Sequence, residues 1–447
     1  MTFLQRLRER FWFVPALLCV GAAALAQLLV AVDRAVDESL APGWASALVY
    51  RVGESGSRDI LGAIASSSLA VAGTTFSITM AVLALTSSTY GPRLVRNFMA
   101  DRGNQVVLGV YVATFLYSLL VLRAVRVLGD PGNQDAEVFV PHLAVNVAVL
   151  LAVANVAVLV YFIHHISDSI QVSTLTQRVR TDLLETVERL YPEDIGRPAE
   201  HHRDDSRAPQ ADLDLACAHG TPVPARTSGY VQSIEEDALL TIAEKHDTLL
   251  VLKVRPGDYV LEDADLLLVH PGLDLTPEIA TALRRTVHLA GARTPYQDVR
   301  FAVQQLTEMA VRAVSPGTND PYTAINALDD LGAGLTRLVS RQPPSPDRAD
   351  TSGTLRVHAP RVEPIVLVTD VVDAMRWYAA SDPGVMHATL DLVAHLADAA
   401  TSATLRSALV EQVHLLEVAF SGASHADHDQ AVFASHADDV RRALEVN

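Results

Sequence analysis

Cysteine is nearly absent from this chain. Its 447 residues hold two, Cys19 in an apolar run and Cys217 in a loop, so neither a disulfide framework nor a cysteine metal site is available. Basic clusters are missing as well. The net charge is −17, and nucleic-acid binding, which needs concentrated Lys and Arg to displace counterions, is not expected. The long apolar runs carry no ionisable residue at their centres. That counts against a proton-coupled transporter or pump, which needs a buried carboxylate or imidazole relay. No nucleophile has a base beside it in sequence, and no full metal-ligand set is evident. An enzyme is therefore not expected, nor is a cofactor.

What is present is unevenly spread. Residues 1–175 carry 11 Arg against 11 Asp and Glu, whereas residues 176–447 carry 24 Lys and Arg against 41 Asp and Glu. A neutral apolar part followed by an acidic part reads as a membrane domain joined to a soluble one. Four spans are expected, at about 12–32, 60–88, 104–123 and 139–163, each near the roughly 20 residues that a bilayer core requires. "ALA" at 24–26 resembles the end of a cleaved signal, but the apolar run continues past it, so the first run is read as a span. Arg6, Arg8 and Arg10 before the first span, Arg93, Arg96 and Arg102 in the second loop, and Arg178 and Arg180 after the fourth favour an inside N-terminus and a cytoplasmic C-terminal part.

The second span differs from the others in its small hydroxyls. Ser68, Thr75, Thr79 and Thr86 fall at intervals of 7, 4 and 7, which places them along one helical face, with Val82 and Leu83 between the last two. Such a stripe with an apolar break is what a water-lined path with a dewetting gate needs, the ring being completed by further copies of the chain. The competing reading has equal weight. Ser and Thr bond back to their own helix carbonyls, and small residues let spans pack closely.

Beyond the spans, 166–213 reads as a helical extension and a polar linker. Residues 214–272 follow as a small β module, with strands at "SGYVQSI", "TLLVLKV" and "ADLLLVH" and a turn at "RPGDYV". Residues 273–447 read as a mainly helical domain. "TPEIATALRRTVHLAG" is expected to be one helix from the cap Thr276 to a stop at Gly291. "SPGTNDPYTA" at 315–324 looks like an active-site loop, yet it accounts for itself as a corner. Ser315 and Gly317 lie in the turn, Asn319 follows, Asp320 is the N-cap, and Pro321 is the first residue of the next helix. Ligand binding at that exposed helix start is the lesser alternative. "TLRVHAP" reads as a strand. His387, Asp391 and His395, spaced by four, share a helix face as a solvated polar stripe, or as half of a metal site.

"SSTYGPRLVRNFMADRGNQ", "SGYVQSIEEDAL", "VRPGDYV" and "RTPYQDVRFAVQQLTEMAVRAVSPGTNDPYTA" resemble a bacterial predicted-membrane-protein family known as domain of unknown function 2254. The resemblance covers nearly the whole chain. It implies an integral inner-membrane protein of the same span-then-cytoplasmic layout and supplies no catalytic residues.

The sequence thus predicts a membrane α-helical domain of four transmembrane helices. A cytoplasmic α+β region follows, with a small β-barrel or sandwich module and a mainly helical C-terminal domain. The expected function is a homo-oligomeric ion channel or permeation pore in the inner membrane, with both termini cytoplasmic. Its partners are the bilayer, other copies of the chain and inorganic ions. The alternative is a non-conducting membrane-anchored sensor or scaffold.

Overall fold

Lipid offers the backbone no hydrogen-bond partner, so a charge-free run of some 20 residues satisfies itself as a helix. In the computed structural model, which describes residues 12–35, 53–90, 101–126, 139–169, 172–191, 209–271 and 275–446, the four runs are helices α1 (Phe13–Ala35), α2 (Glu54–Tyr90), α3 (Arg102–Ala124) and α4 (His142–Ser169). All four are long and apolar enough to cross a membrane. The chain divides into two units, Met1–Thr174 and Leu175–Asn447.

In the first unit α3 is the central helix and packs on the other three. Gly109 lets α1 come close: a Cβ there would meet Leu18 Cδ1 at 2.7 Å and Pro15 Cα at 3.0 Å. Ala26, Leu61, Tyr117, Val121 and Ala148 form one core, and Ala72, Val82, Val107, Tyr111, Phe162 and Ile166 a second. Asp33 of α1 accepts hydrogen bonds from the Leu143 and Ala144 amides, both at 3.1 Å, and so caps the start of α4. The second span stays helical through Gly73. Arg6, Arg8, Arg10, Arg93 and Arg96 lie outside the described residues.

The second unit begins within α5 (Val172–Leu190). It continues with α6 (Pro209–His219), β1 (Thr221–Pro224), β2 (Gly229–Ile234), α7 (Glu236–His246), β3 (Leu249–Leu252), β4 (Tyr259–Val260) and β5 (Asp265–His270). Next come α8 (Pro277–Arg285), β6 (Val287–Ala290), α9 (Val299–Ala313), α10 (Pro321–Val339), β7 (Asp347–Ala349) and β8 (Leu355–His358). Helices α11 (Pro364–Tyr378), α12 (Pro383–Ala399), α13 (Ala403–Ser421) and α14 (Asp427–Val446) complete it.

The three strands expected at 229–270 form, but they belong to two sheets rather than one closed module. One sheet has the order β1-β5-β3-β8-β7, the other β4-β2-β6. All pairings are antiparallel except β3 with β8, where Leu250 stands opposite Val357. The expected strand "TLRVHAP" is β8, and it brings chain from beyond residue 272 into the first sheet. The helix expected over 276–291 is shorter. Thr276 caps it and Pro277 opens it, but it ends at Arg285, and the β-branched Val287 starts β6, paired with Ile234. Leu239, Leu250, Leu267, Leu283 and Val357 lie in the core that joins sheets and helices.

Candidate functional site

The second span has two different faces. Ser68, Thr75 and Thr79 turn into the bundle and are buried, as is Val82, with Leu83 half-buried beside it. The reason is packing: bulky Tyr111 on α3 and Phe162 on α4 need a small, grooved partner, and this face of α2 supplies it. Thr75 donates to Ala72 O at 2.9 Å and Thr79 to Thr75 O at 2.8 Å. Ser68 accepts from Asn155 Nδ2 of α4 at 3.2 Å, Asn155 Oδ1 accepts from Thr114 Oγ1 at 3.3 Å, and Tyr111 Oη donates to Asn155 O at 2.7 Å. The Asn155 carboxamide of α4 is thereby partnered from two other helices, α2 and α3, while Tyr111 takes its backbone carbonyl. The hydroxyl spacing does not point to Asn155; the available signal is an amide side chain in an otherwise aliphatic run. Thr86 has its side chain outside the described residues. In this protomer Ser68, Thr75 and Thr79 lie buried within their own bundle, with Ser68 against Asn155 of α4.

The outward face of α2 is small as well. Ala63, Ser67, Ala70, Thr74, Ser77, Ala81 and Ala84 alternate at intervals of four and three, and all seven are exposed. Over about 30 Å of helix no bulky side chain interrupts this line. Larger groups flank it, Leu69 and Phe76 on one side, Ile78 and Leu85 on the other. The exposed faces of α1 and α4 are unlike it: Leu17, Val20 and Leu28 on one, Leu150, Val153, Val156 and Val160 on the other. The hydroxyls of the outward face spend their protons locally. Ser66 donates to Ala63 O and Ser67 to Ile64 O, both at 3.2 Å, Thr74 to Ala70 O at 3.0 Å, and Ser77 to Gly73 O at 2.9 Å. Each therefore presents oxygen lone pairs, not O–H, to whatever lies outside.

The corner at 315–321 is a joint between α9 and α10. Asp320 accepts from the Thr323 amide at 3.1 Å and from its hydroxyl at 2.6 Å, and Pro321 occupies the first turn. Ser315 Oγ donates to Arg312 O at 2.6 Å, and Asn319 takes the left-handed conformation at φ 48°. Gly317 stands in open space. His387 and Asp391 do share a face of α12, but their third neighbour is His436 of α14. The His387 and His436 Nδ1 atoms are 2.9 Å apart, and His436 Nε2 is 3.1 Å from Asp391. Burial, and then His436, push the His387 imidazole down from its usual range. His395 instead acts on Asp329 of α10. Among the described residues no three His, Cys, Asp or Glu side chains are grouped to hold a metal.

The second unit contains a cleft of about 330 Å³. Three segments widely separated in sequence build it: the turn Arg255–Asp258, the start of α9 with Arg293 ahead of it, and α11. Its floor is rigid. Asp298 caps α9 by accepting from the Phe301 amide at 3.0 Å, and Arg293 donates to both carboxylate oxygens at 2.7 and 2.9 Å and to Gln304 Oε1 at 2.7 Å. Burial pushes the Asp298 carboxyl up, while the hydrogen bonds and charge of Arg293 and the Phe301 amide pull it down; burial prevails. Gly257, at φ 94°, presses the turn onto this pair, since a Cβ there would lie 2.3 Å from Asp298 Oδ2. The rim is softer. Arg300 donates to Asp370 Oδ2 at 3.1 and 2.9 Å, both side chains nearly half exposed, and Arg255 is 3.6 Å from Asp258. Trp377, 63% exposed, stands at the cleft with the Arg376 guanidinium 5.4 Å from its ring centroid.

The comparisons with known proteins agree with the spans. Uncharacterized protein Rv1290c of Mycobacterium tuberculosis and uncharacterized protein Mb1321c of Mycobacterium bovis are each 33% identical over 369 residues, covering 80% of this chain and 67% of theirs. No solved structure matches. The model of the family described as "Predicted membrane protein (DUF2254)" matches residues 8–395, which include all four apolar helices and both cleft-forming motifs "VRPGDYV" and "RTPYQDVRFAVQQL". The chain is a member of that family of predicted membrane proteins.

Proposed function

We propose that the protein is a homo-oligomeric permeation pore of the bacterial inner membrane, with both termini cytoplasmic, assembled along the outward face of its second span. The observation that carries this reading is the unbroken line of seven small exposed residues from Ala63 to Ala84. Small side chains let helix backbones approach closely, and in a bilayer that contact replaces the missing hydrophobic drive. The same face bears Ser66, Ser67, Thr74 and Ser77, whose oxygen lone pairs favour water and inorganic cations over anions. Ile78 and Leu85 on one flank supply the apolar constriction that Val82 and Leu83, turned inward, do not. The acidic surplus after residue 175 adds a screened field that favours cations at the inner mouth. Partners on this reading are the bilayer, further copies and inorganic ions, with no nucleic acid.

A cysteine comparison tests the assembly. With Cys19 and Cys217 replaced by Ala and Ser, Ala70→Cys or Ala81→Cys should cross-link copies in native membranes, and Ser68→Cys should not. Liposomes holding the purified protein should pass K⁺, and Thr74→Leu with Ser77→Leu should abolish that flux. Failure of both outward positions to cross-link, together with no flux from folded protein, would sink the proposal. The alternative of a non-conducting sensor is favoured by one observation, the arginine-rimmed cleft of the second unit.

A further inference from the structure

The cleft in the second unit can be considered apart from the second span. Its lining carries three guanidiniums, Arg255, Arg293 and Arg300, and three carboxylates, Asp258, Asp370 and Asp373, so its net charge is zero. A bare anion would gain little from such a lining. A ligand that carries an anionic group and several hydrogen-bond donors would use both signs.

We propose that this cleft binds a nucleoside phosphate, with Arg300 and Arg255 on the phosphate, Trp377 against the base, and the rim carboxylates accepting from sugar and base. Three observations lead there. First, the Arg300–Asp370 rim pair is nearly half exposed, and exposed pairs contribute little, so phosphate can take the place of Asp370 on Arg300 at small cost. A guanidinium matches phosphate through two parallel N–H donors. Second, Trp377 is 63% exposed beside a cleft, where a buried or half-buried indole is the norm. The Arg376 guanidinium lies over one face of the ring, and the opposite face is the stacking platform for a base. Third, Asp370, Asp373 and Trp377 stand at i, i+3 and i+7 on α11 and so share one face. Arg300, held by Asp370, is thereby separated from the indole by about 10 Å along the helix, a distance that suits a phosphate joined to a base through a sugar. The volume of about 330 Å³ lies in the range of small-molecule sites. The Arg293–Asp298–Gly257 floor is tied together by the protein's own hydrogen bonds.

The test uses the full chain in detergent or lipid nanodiscs, with Trp12 and Trp44 replaced by Phe so that emission reports Trp377 alone. AMP, ATP, adenosine and inorganic phosphate are titrated separately, and labelled AMP is followed by equilibrium dialysis. AMP or ATP should quench the indole saturably, and adenosine and phosphate should each bind at least about tenfold more weakly, a loss of roughly 1.4 kcal/mol. Arg300→Gln should weaken the nucleotide about tenfold or more, and Trp377→Leu should weaken it as well. Asp370→Asn, which removes the carboxylate competing for Arg300, should tighten binding, a result that a merely structural role for Asp370 would not give. Phosphate binding as well as AMP would overturn the proposal, because the ring would then contribute nothing. So would the absence of saturation with any nucleotide up to about 1 mM while the protein melts cooperatively. Should a variant unfold, the comparison of four ligands on the parent protein still decides.

Discussion

The two units deal with polar groups in opposite ways. In the membrane unit the buried Ser68, Thr75, Thr79, Thr114 and Asn155 side chains are tied to backbone carbonyls or to neutral neighbours, as in the Ser68–Asn155–Thr114 chain. In the second unit, guanidinium–carboxylate pairs do the corresponding work: Arg293 on Asp298, Arg361 and Arg348 on Glu236, Arg356 on Asp350 and Asp247. The difference follows from solvent. Ions near water keep part of their hydration and gain from pairing, whereas in lipid the desolvation cost exceeds what a pair returns. One chain thus contains two polar vocabularies, and each is vulnerable to a different substitution.

The comparison is broken most severely at Gly257. Gly257→Val forces a branched residue into φ 94° and drives its side chain into the Asp298 carboxylate. We expect a loss of about 3 kcal/mol or more, seen as a lower melting temperature and protease sensitivity in Leu175–Asn447, with the spans still inserted. Next comes Asn155→Leu, which removes the amide that donates to buried Ser68 and leaves Thr114 only its Val110 carbonyl, and should cost about 1–3 kcal/mol by unfolding in mixed micelles. Tyr111→Phe, which removes one hydrogen bond, should cost about 1 kcal/mol in the same assay.

Asp350 sharpens the ionic side. Burial pushes its carboxyl up, but Ser352 Oγ, Arg356 and the Thr354 and Ser352 amides outweigh that and bring it down to about 2. A folded value below the unfolded one gives stability that is full above the ordinary carboxylate range, near pH 4, and disappears as pH falls through about 2. Melting of the parent should therefore drop between pH 4 and 2, and Asp350→Asn should flatten that part of the profile. The smallest effect is expected at Ser77→Ala, within about 0.5 kcal/mol for the protomer, because the hydroxyl lies on an exposed face and bonds only to its own helix.

Much of this architecture is legible in the residues themselves. The spans announce themselves through missing charge, and the α8 and α10 starts through Thr276 and Asp320, each of which accepts from an amide three residues on. What the sequence does not reveal is which face of α2 is inside. Hydroxyls stand at 66, 67, 68, 74, 75, 77 and 79, almost all around the helix, so spacing alone selects no face. Tyr111 and Phe162, on other spans, make the choice. The end of α8 at Arg285 is likewise decided from outside, by the pairing of Val287 with Ile234. The cleft is hidden for the same reason: Arg255, Arg300 and Trp377 have no common spacing, and only the tertiary fold of the second unit brings them together.

The small-residue line on α2 has a further geometric consequence. Intervals of four and three repeat every 3.5 residues, while the helix itself repeats every 3.6, so the line drifts by about 20° per heptad. Helices that meet along it must wind around one another with a left hand, crossing near 20°. On the proposed assembly, a ring of such tilted helices would be a hyperboloid whose narrowest radius is set by the tilt, so a few degrees of common rotation would change the width of its waist.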